Sequence, residues 1–219
     1  MERGATLCPD GTVRFSVWAP RVKKMAVRFT PSWAAPLQRS ADGLHTATVK
    51  GLNPGSRYCY VLDEERARPD PVSRFQPEGV HGPSAIVDPH AFAWTDQAWK
   101  GLALGDVILY ELHTGTFTPD GTFSAILPYL DYLRDELGIT AVELMPVAEF
   151  PGSRNWGYDG ASLYAPHSAY GGPQGLKTLV NACHAKGLAV ALDVVYNHLG
   201  PEGNYLNEYG PYFTDRYQT

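Results

Sequence analysis

Hydrophobic and polar residues alternate along the first part of the chain, with the period of two that is typical of strands with one buried face. Turn-forming residues such as Asp42-Gly43 and Asn53-Pro54-Gly55 interrupt the alternation. Short strands at this spacing predict an antiparallel sandwich. The predicted strands are Thr12–Trp18, Met25–Phe29, His45–Val49 and Arg57–Leu62.

The periodicity is lost between Pro69 and about Asp106, where Pro, Gly, His and Trp are frequent. A segment of this length and composition predicts an ordered connection that wraps between two domains, and not a flexible linker.

From Asp106 onward, short apolar runs alternate with helical periodicity. Strands are predicted at Val107–His113, Thr140–Val147 and 189–198, and helices from Phe123 to Leu137 and from about Gly172 to Gly187. Pro128 lies inside the first helical pattern, so that helix either begins there or bends. The β-α-β-α-β order implies a parallel sheet with right-handed crossovers.

Three such strands are too few for a closed barrel, which takes eight strands and roughly 250 residues. We therefore expect an incomplete barrel with unpaired strand edges, which are a liability in water.

Charge and composition argue against two classes of partner, nucleic acids and membranes. The chain has 219 residues and a net charge of −5, and its Lys and Arg residues are scattered, which argues against nucleic acid as a partner. It has no apolar segment of signal-peptide or membrane-span length, so no membrane partner and a cytoplasmic location are expected.

The spacing of the cysteine and histidine residues argues against disulfide and metal sites. Cys8, Cys59 and Cys183 form no Cys-x-x-Cys pair and are odd in number, so we expect buried inert thiols and neither a disulfide framework nor a zinc site. The histidines match no metal-binding helix motif, and nucleophile-elbow and phosphate-loop patterns are absent from the sequence.

Polar residues follow the third strand, where Asp193 and His198 stand five positions apart. Side chains two apart share a face of a strand, so the strand is predicted to end near Tyr196. His198 would then lie on a loop at the strand mouth, with Asp193 pointing inward toward a partner. The alternative is that Asp193 satisfies buried backbone and His198 is an ordinary surface histidine.

A second polar cluster, Arg154 to Gly160, follows the second strand. Glycines flank Tyr158-Asp159 and allow the backbone to present the tyrosine ring at an unusual angle, as in a stacking platform, although packing is the commoner use of such a segment. The first strand also ends in a polar segment that includes His113. Three polar strand ends on one rim indicate a binding site.

These residues resemble a known family. Asp193 to His198 is similar to the motif that ends strand three in the α-amylase superfamily, glycoside hydrolase family 13. Longer segments resemble its malto-oligosyltrehalose trehalohydrolase branch, from about Val13 to the last residue: 68–83, 110–123, 143–152, 155–160 and 197–205.

The resemblance implies a multidomain β plus α/β fold. Residues 1–92 would be an N-terminal immunoglobulin-like β-sandwich of the sugar-binding type, with a linker to about residue 105. Residues 106–219 would be the start of a (β/α)8 catalytic barrel, limited to the first three β/α units of an incomplete TIM barrel. The implied reaction is hydrolysis of the α-1,4 bond next to the terminal trehalose of maltooligosyl trehalose, which releases trehalose.

The resemblance also implies roles for individual residues. Tyr158 would stack on the sugar, His198 would bind its hydroxymethyl oxygen, and Asp193 would orient an arginine beside the nucleophile. Asn197 matches a calcium position of many amylases, but this branch gives no reason to expect the ion, so no metal and no cofactor are expected. The substrate-binding residues are thus Tyr158, His198, Trp156 and Asp159, supported by Asp193, Asn197 and His113.

A retaining glycosidase needs two carboxyl groups roughly 5 Å apart. The family places them on strands four and five, with a further Asp after strand seven, all beyond Thr219. We therefore expect no catalytic residue in this chain, no activity from it alone, and a need for the rest of the barrel. Glu111 and Glu143 are assigned to barrel packing or ion pairs.

Two alternatives remain open. A branching or debranching relative, which also acts on α-glucans, has the same domain layout. A non-catalytic carbohydrate-binding module would use the sandwich, with Trp18 and Trp33 as candidate surface rings. The pattern does not fix the face of Trp18, and Trp33 stands in a loop-like stretch.

Overall fold

The computed structural model describes residues 3–30, 33–214 and 216. Its first part contains nine strands, all in antiparallel pairs. They are β1 (Gly4–Leu7), β2 (Thr12–Trp18), β3 (Met25–Phe29), β4 (Trp33–Pro36), β5 (Gln38–Arg39), β6 (Leu44–Lys50), β7 (Arg57–Leu62), β8 (Arg66–Arg68) and β9 (Ser84–Ala85). The four predicted strands are confirmed, three of them with identical bounds. Trp33, predicted in a loop, begins a strand instead.

The nine strands form two sheets, β1-β2-β6-β5 and β4-β3-β7-β8, and β9 also pairs with β7. Alternate residues of both sheets meet in one buried cluster that includes Phe15, Val27, Tyr60 and Leu62, none of them exposed. The Phe15 ring meets Phe29 and Tyr58 edge-on, with centroids 5.5 and 5.1 Å apart. Burying each such side chain contributes about 1.5–3 kcal/mol.

The connection after these sheets is held by hydrogen bonds at several positions. Ala85 N donates to Phe75 O at 2.9 Å, which holds the connection against itself near β9. Further on, Thr95 N donates to Asn181 Oδ1 at 2.8 Å, and Asp96 Oδ2 lies 2.6 Å from His184 Nδ1. The connection therefore contacts both the antiparallel sheets and a later helix.

The second part of the structure contains a three-stranded parallel sheet of β10 (Leu109–Leu112), β11 (Ala141–Leu144) and β14 (Ala189–Leu192), in the order β10-β11-β14. The predicted parallel sheet is confirmed. Between β11 and β14 lies a small antiparallel pair, β12 (Ala148–Glu149) and β13 (Ser162–Pro166). One face of the parallel sheet packs on Phe123 and Leu179, which lie on the two following helical segments.

The strand predicted to reach Tyr196 ends at Leu192. Its last contact with β11 is the hydrogen bond from Asp193 N to Leu144 O, 2.9 Å long. Two residues further along the neighbouring strand stands Pro146, which has no N–H and cannot continue the ladder. Asp193 is therefore the first residue beyond the strand.

The α-helices are α1 (Thr114–Phe117), α2 (Phe123–Ile126), α3 (Gly172–Ala185) and α4 (Leu206–Tyr209), with 3₁₀ turns at Leu104–Asp106, Leu127–Tyr129 and Ser168–Tyr170. The segment predicted as a helix from Phe123 to Leu137 is helical, but it is not one regular α-helix. It starts at the cap Thr122 but changes to a 3₁₀ turn at Pro128 and a π turn at Tyr132–Glu136. Proline lacks the N–H that would continue the α-helical hydrogen bonds, so the hydrogen-bond pattern changes at this position.

The second predicted helix is confirmed as α3. Pro173 occupies its first turn, where a missing N–H is tolerated, and Gly187 follows its end with φ +75. No helix among the described residues has the length and apolarity to cross a bilayer.

The residues after the third parallel strand return to the first two sheets. Tyr209 is buried in their core, and its hydroxyl donates to Pro69 O at 2.8 Å. Glu208 accepts from Arg66 and Arg68 at 2.9 and 2.8 Å. The strand end that carries the candidate site residues is therefore connected to the antiparallel sheets by a short, well-packed segment.

The three cysteines are free thiols. Burial raises the pKa of Cys183 to about 12, which makes it an unreactive core residue as predicted. Cys8 and Cys59 are only half-buried, so the prediction of three buried thiols is wrong for these two.

Candidate substrate-binding site

The ends of the second and third parallel strands bring Tyr158 and Asp193 together. The Tyr158 hydroxyl donates to Asp193 Oδ2 over 3.4 Å, and the ring itself is 43% exposed. Partial removal from water, and then the negative charges of Asp193 and Glu111, raise the pKa of Tyr158. The phenol therefore keeps its proton and presents an open ring face beside a carboxylate.

Gly157 determines how the tyrosine loop sits on the strand end. Its φ is +98, and a Cβ at this position would lie 2.2 Å from Pro146 O, so a side chain cannot be accommodated without moving the backbone. Gly157 N also donates to Asn155 Oδ1 at 2.8 Å. The unusual backbone predicted beside Tyr158 is therefore present at Gly157, because the loop lies directly on another stretch of main chain.

His198 lies next to this loop with both ring nitrogens bonded to protein. Nε2 is 3.0 Å from Tyr158 O, and Nδ1 is 2.9 Å from Asn197 Nδ2. A carbonyl only accepts, so the proton is on Nε2 and Nδ1 accepts from the asparagine. A sugar oxygen would have to replace one of these partners, which makes His198 first of all a link between two loops.

Gly200 strengthens the same link. Its N–H donates to Gly160 O at 3.0 Å, and a Cβ on Gly200 would lie 2.2 Å from Asp159 O. The loops after the second and third strands are therefore in direct main-chain contact at the mouth of the sheet.

His113 ends the first strand and is held on several sides. Nε2 donates to Asn155 O at 2.8 Å, and Nδ1 accepts from Thr116 Oγ1 at 3.0 Å. The Tyr170 hydroxyl lies 3.1 Å from Nε2 and 3.4 Å from Asn155 O. The imidazole also packs against the Trp156 ring, 4.8 Å between centroids. His113 thus supports the loop that carries Trp156 and Tyr158.

Tyr170 is the main contributor that sequence reasoning missed. Burial raises its pKa to about 12, and its ring packs on Phe123 and Phe150 beneath the loop. It belongs to a single 3₁₀ turn before α3, where no hydrophobic periodicity distinguishes a buried ring from a surface one.

The remaining predicted residue, Asp159, is bonded within its own loop. Its Oδ2 accepts from Asn155 Nδ2 at 2.8 Å, and the side chain is exposed. The structure thus gathers all seven predicted site residues on one rim, in two groups: Tyr158, Asp193, Asn197 and His198 around the third strand end, and His113, Trp156 and Asp159 around the first and second.

A cavity of about 100 Å³ lies under the Tyr158 side of the loop. Its walls include Pro146, Gly157, Leu192, Asp193 and Tyr196. Most of its wall is apolar, and the Asp193 carboxylate is its one charged lining group among the described residues.

Glu111 and Glu143 stand in register on neighbouring strands, on the face that also leads to Asp193. Within the part of the chain that the structure describes, no basic side chain lies within ion-pair distance of either carboxylate, so of the two predicted roles, barrel packing or ion pairs, the ion pairs are not formed. Their charges add to that of Asp193 in raising the pKa of Tyr158. The sheet face below the site is therefore negative.

Among the described residues, no group of three His, Cys, Asp or Glu side chains is arranged to hold a metal ion.

Comparison with known proteins shows the family to which the chain is similar. The family model of the α-amylase catalytic domain matches residues 86–218. A malto-oligosyltrehalose trehalohydrolase from Saccharolobus solfataricus is 48% identical over all 219 residues, which cover 38% of that protein. A 1,4-α-glucan branching enzyme from Xanthomonas campestris is 30% identical, over 90% of this chain and 30% of its own.

A crystal structure of a protein from Salmonella typhimurium, described as an α-amylase, superposes with a TM-score of 0.95 at 46% identity, covering 100% of this chain and 37% of that one. The chain thus spans less than two fifths of the length of each of these relatives. The family model covers more than half of the chain, and the site residues after the second and third strands lie within the matched range. The chain belongs to the α-amylase family.

Proposed function

We propose that this chain carries part of the substrate site of a retaining α-glycosidase that hydrolyses the α-1,4 bond next to the terminal trehalose of maltooligosyl trehalose and releases trehalose. The observation that carries the proposal is the Tyr158, Asp193 and His198 group at the mouth of the parallel sheet. The relative named for this activity shares 48% of its residues with the chain, against 30% for the branching enzyme.

In this proposal Tyr158 provides the stacking surface. Its ring is exposed, its hydroxyl is held by Asp193, and Gly157 sets the backbone beneath it. Asp193 is also free to hold an arginine from outside this chain, since its long bond to Tyr158 leaves further lone pairs available. His198 binds the hydroxymethyl oxygen of the sugar when that oxygen replaces Asn197 or Tyr158 O as a hydrogen-bond partner of the imidazole.

The proposal includes the finer description of the fold. The two antiparallel sheets would be an immunoglobulin-like sandwich within residues 1–92, and β10, β11 and β14 would be the first three strands of a (β/α)8 barrel within residues 106–219. The shared core of the first two sheets supports the sandwich. The parallel order β10-β11-β14 with connecting helices supports the barrel.

The chain alone is predicted to be inactive, because the two carboxylates that a retaining glycosidase needs are assigned to strands four and five. The test is to incubate the chain with maltooligosyl trehalose and to measure released trehalose against a buffer control. No trehalose is expected; turnover above the control would contradict the assignment. Product analysis of the complete enzyme then separates trehalose release from branching, which transfers glucan and releases none.

The non-catalytic binding module is less well supported. Trp18 is engaged by protein: Nε1 donates to Asp42 O at 3.0 Å, and its ring meets Tyr212 at 5.3 Å. Trp33 is 46% exposed but packs on Phe29 at 4.4 Å. Neither ring forms an open platform with polar groups around it.

A further inference from the structure

A cavity of about 550 Å³ lies on the antiparallel sheets, where residues of β2, β4, β5 and β6 form its walls. Its volume falls in the range of about 300–1,000 Å³ that is usual for small-molecule sites. It shares no lining residue with the cavity beside Tyr158. The cavity is therefore separate from the site at the ends of the parallel strands.

The strand register places the polar lining residues of this cavity side by side. Arg14 of β2 stands opposite Thr48 of β6, and Gln38 of β5 stands opposite Thr46 of β6. Opposite residues of an antiparallel pair have Cβ atoms about 4.5–5.5 Å apart, and residues two apart along a strand share a face. Since Phe15 points into the core, the neighbouring Arg14 points to the outer face of the sheet. The four polar side chains thus form one patch on that face.

Arg14 lacks a protein partner for its charge. Its Nε is buried, and among the described residues no hydrogen bond or ion pair forms to the guanidinium group. Thr6 Oγ1, opposite Arg14 on β1, and Ser16 Oγ, two positions further along β2, are likewise buried without a partner in the described chain. Buried polar groups are nearly always hydrogen-bonded, so this patch points to a partner from outside the chain.

The chemistry of the lining residues indicates that this partner is an anion. A guanidinium group carries a fixed positive charge and only donates, through a fork of N–H groups that matches a carboxylate or a phosphate. The threonine hydroxyls and the glutamine amide add uncharged donors, and no Asp or Glu of the described chain lines the cavity. Ala35, Pro36 and Ala47 complete its wall, which leaves apolar surface for an organic body beside the charged group.

We propose that Arg14, Gln38, Thr46 and Thr48 bind the carboxylate or phosphate group of a small organic anion. Arg14 donates two parallel hydrogen bonds to oxygens of that group, as guanidinium groups do in bidentate pairs. The two threonines and the glutamine donate to its other oxygens, and the organic body lies against Pro36. The site uses none of the residues assigned to glucan binding, so it goes beyond the proposed function and does not depend on it.

The experiment titrates the ¹⁵N-labelled chain with glycerol 3-phosphate and follows the Nε–H signals of its arginines. Constant ionic strength keeps general charge screening the same throughout the titration. Arg14→Met identifies the Arg14 signal, and we expect this signal to shift to saturation. Arg28→Met identifies the control: Arg28 also has no partner among the described residues, but Glu78 lines its cavity, so no saturable shift is expected there.

Two variants measure the contribution of individual side chains. Arg14→Met should weaken binding by about tenfold or more, because it removes a charged hydrogen-bond donor. Thr48→Val removes one exposed hydroxyl from a strand position that suits valine, and it should weaken binding by about threefold. Titrations with inorganic phosphate and with acetate then show which of the two head groups is preferred.

Three results would overturn the proposal. The Arg14 signal could shift without saturating, as it would with charge screening alone. Arg14→Met and Thr48→Val could both keep the affinity of the parent chain, which would place the anion elsewhere. Maltotriose, which is uncharged, could shift the Arg14 signal to saturation, which would make this face a glucan surface. Trehalose release by the complete enzyme is a separate measurement, so the proposed function can stand or fall independently of this site.

Discussion

The two antiparallel sheets and the parallel sheet differ in how much of their surface is covered. In the first sheets the inner side chains of Phe15, Tyr60 and Leu62 are fully buried between two layers. In the parallel sheet only one face packs on helices, and Leu109 and Ile108 at its edge remain 46% and 56% exposed. The candidate site lies at the mouth of the less covered sheet, so the better-packed region lies beside the region proposed to bind substrate.

The largest expected effect tests this difference in packing directly. Phe15→Ala should reduce the free energy of unfolding by about 3–5 kcal/mol, because it leaves a cavity among rings that cannot collapse into it. Leu109→Ala, on the exposed face of the parallel sheet, should cost only about 0.5 kcal/mol. Urea unfolding of the two variants measures the contrast. Equal losses would show that the two regions are packed equally well.

The second prediction concerns the loop on the strand end. Gly157→Ala should destabilise the chain by about 1–3 kcal/mol and displace Tyr158, because the new Cβ meets Pro146 O in a backbone conformation that L-residues avoid. Gly152→Ala is the matched control: its φ is also positive, at +75, but it faces open space. Tyrosine fluorescence and thermal unfolding report both effects. Similar behaviour of the two variants would mean that contact with Pro146 is unimportant.

The third prediction uses a buried acid in the better-packed region. Burial raises the pKa of Asp70 from its ordinary value of 3.8, although Tyr58 and Tyr60 donate to its carboxylate. The folded state therefore holds this proton more tightly than the unfolded chain. Its contribution is fully present below the unfolded pKa and is lost as the pH rises through the raised folded pKa.

Asp70→Asn should remove this loss, which amounts to at most about 1.4 kcal/mol per pH unit between the two pKa values. Urea unfolding at several pH values above 4 should therefore show the parent falling relative to the variant as the pH rises. Asp120→Asn, the same change at an exposed position, is the matched control. A parallel pH profile for parent and Asp70→Asn would contradict the raised pKa.

The smallest expected effect is at the negative face of the parallel sheet. Glu143→Gln should raise stability by about 0.5 kcal/mol or less, because it relieves repulsion from Glu111 in the neighbouring register position. Exposed Glu136→Gln serves as the control. A clear loss of stability from Glu143→Gln would reveal a favourable partner and would restore the ion-pair assignment.

Prediction from the sequence succeeded where one local pattern decides the outcome. Alternation alone placed Thr12–Trp18, Met25–Phe29 and Arg57–Leu62 correctly. Apolar strands separated by helical periods gave the parallel sheet. Prediction left alternatives open where two local signals conflict, as between the leucine pattern and Pro128. It failed where a strand ends because its neighbour does, as at Leu192 beside Pro146.

The candidate site likewise has one part that the sequence predicted and one part that it did not. Its residues could be chosen from sequence because polar groups that directly follow buried strands gather on one rim. The contacts of these residues could not be predicted. Tyr170 and Asn155 both contact His113, from which they are 57 and 42 residues away in the sequence. What distinguishes Tyr170 is its burial, and burial arises only when the helices pack, so the sequence alone does not show it.

By itself the sequence determined the strands, the order of the two regions and the polar residues on the rim, because each depends on neighbours a few positions apart. Only the tertiary structure decided that His198 binds the carbonyl of Tyr158 and that Gly157 touches Pro146 O. These contacts join segments that are distant along the chain, and their geometry follows from how the packed loops share the limited space at the strand ends.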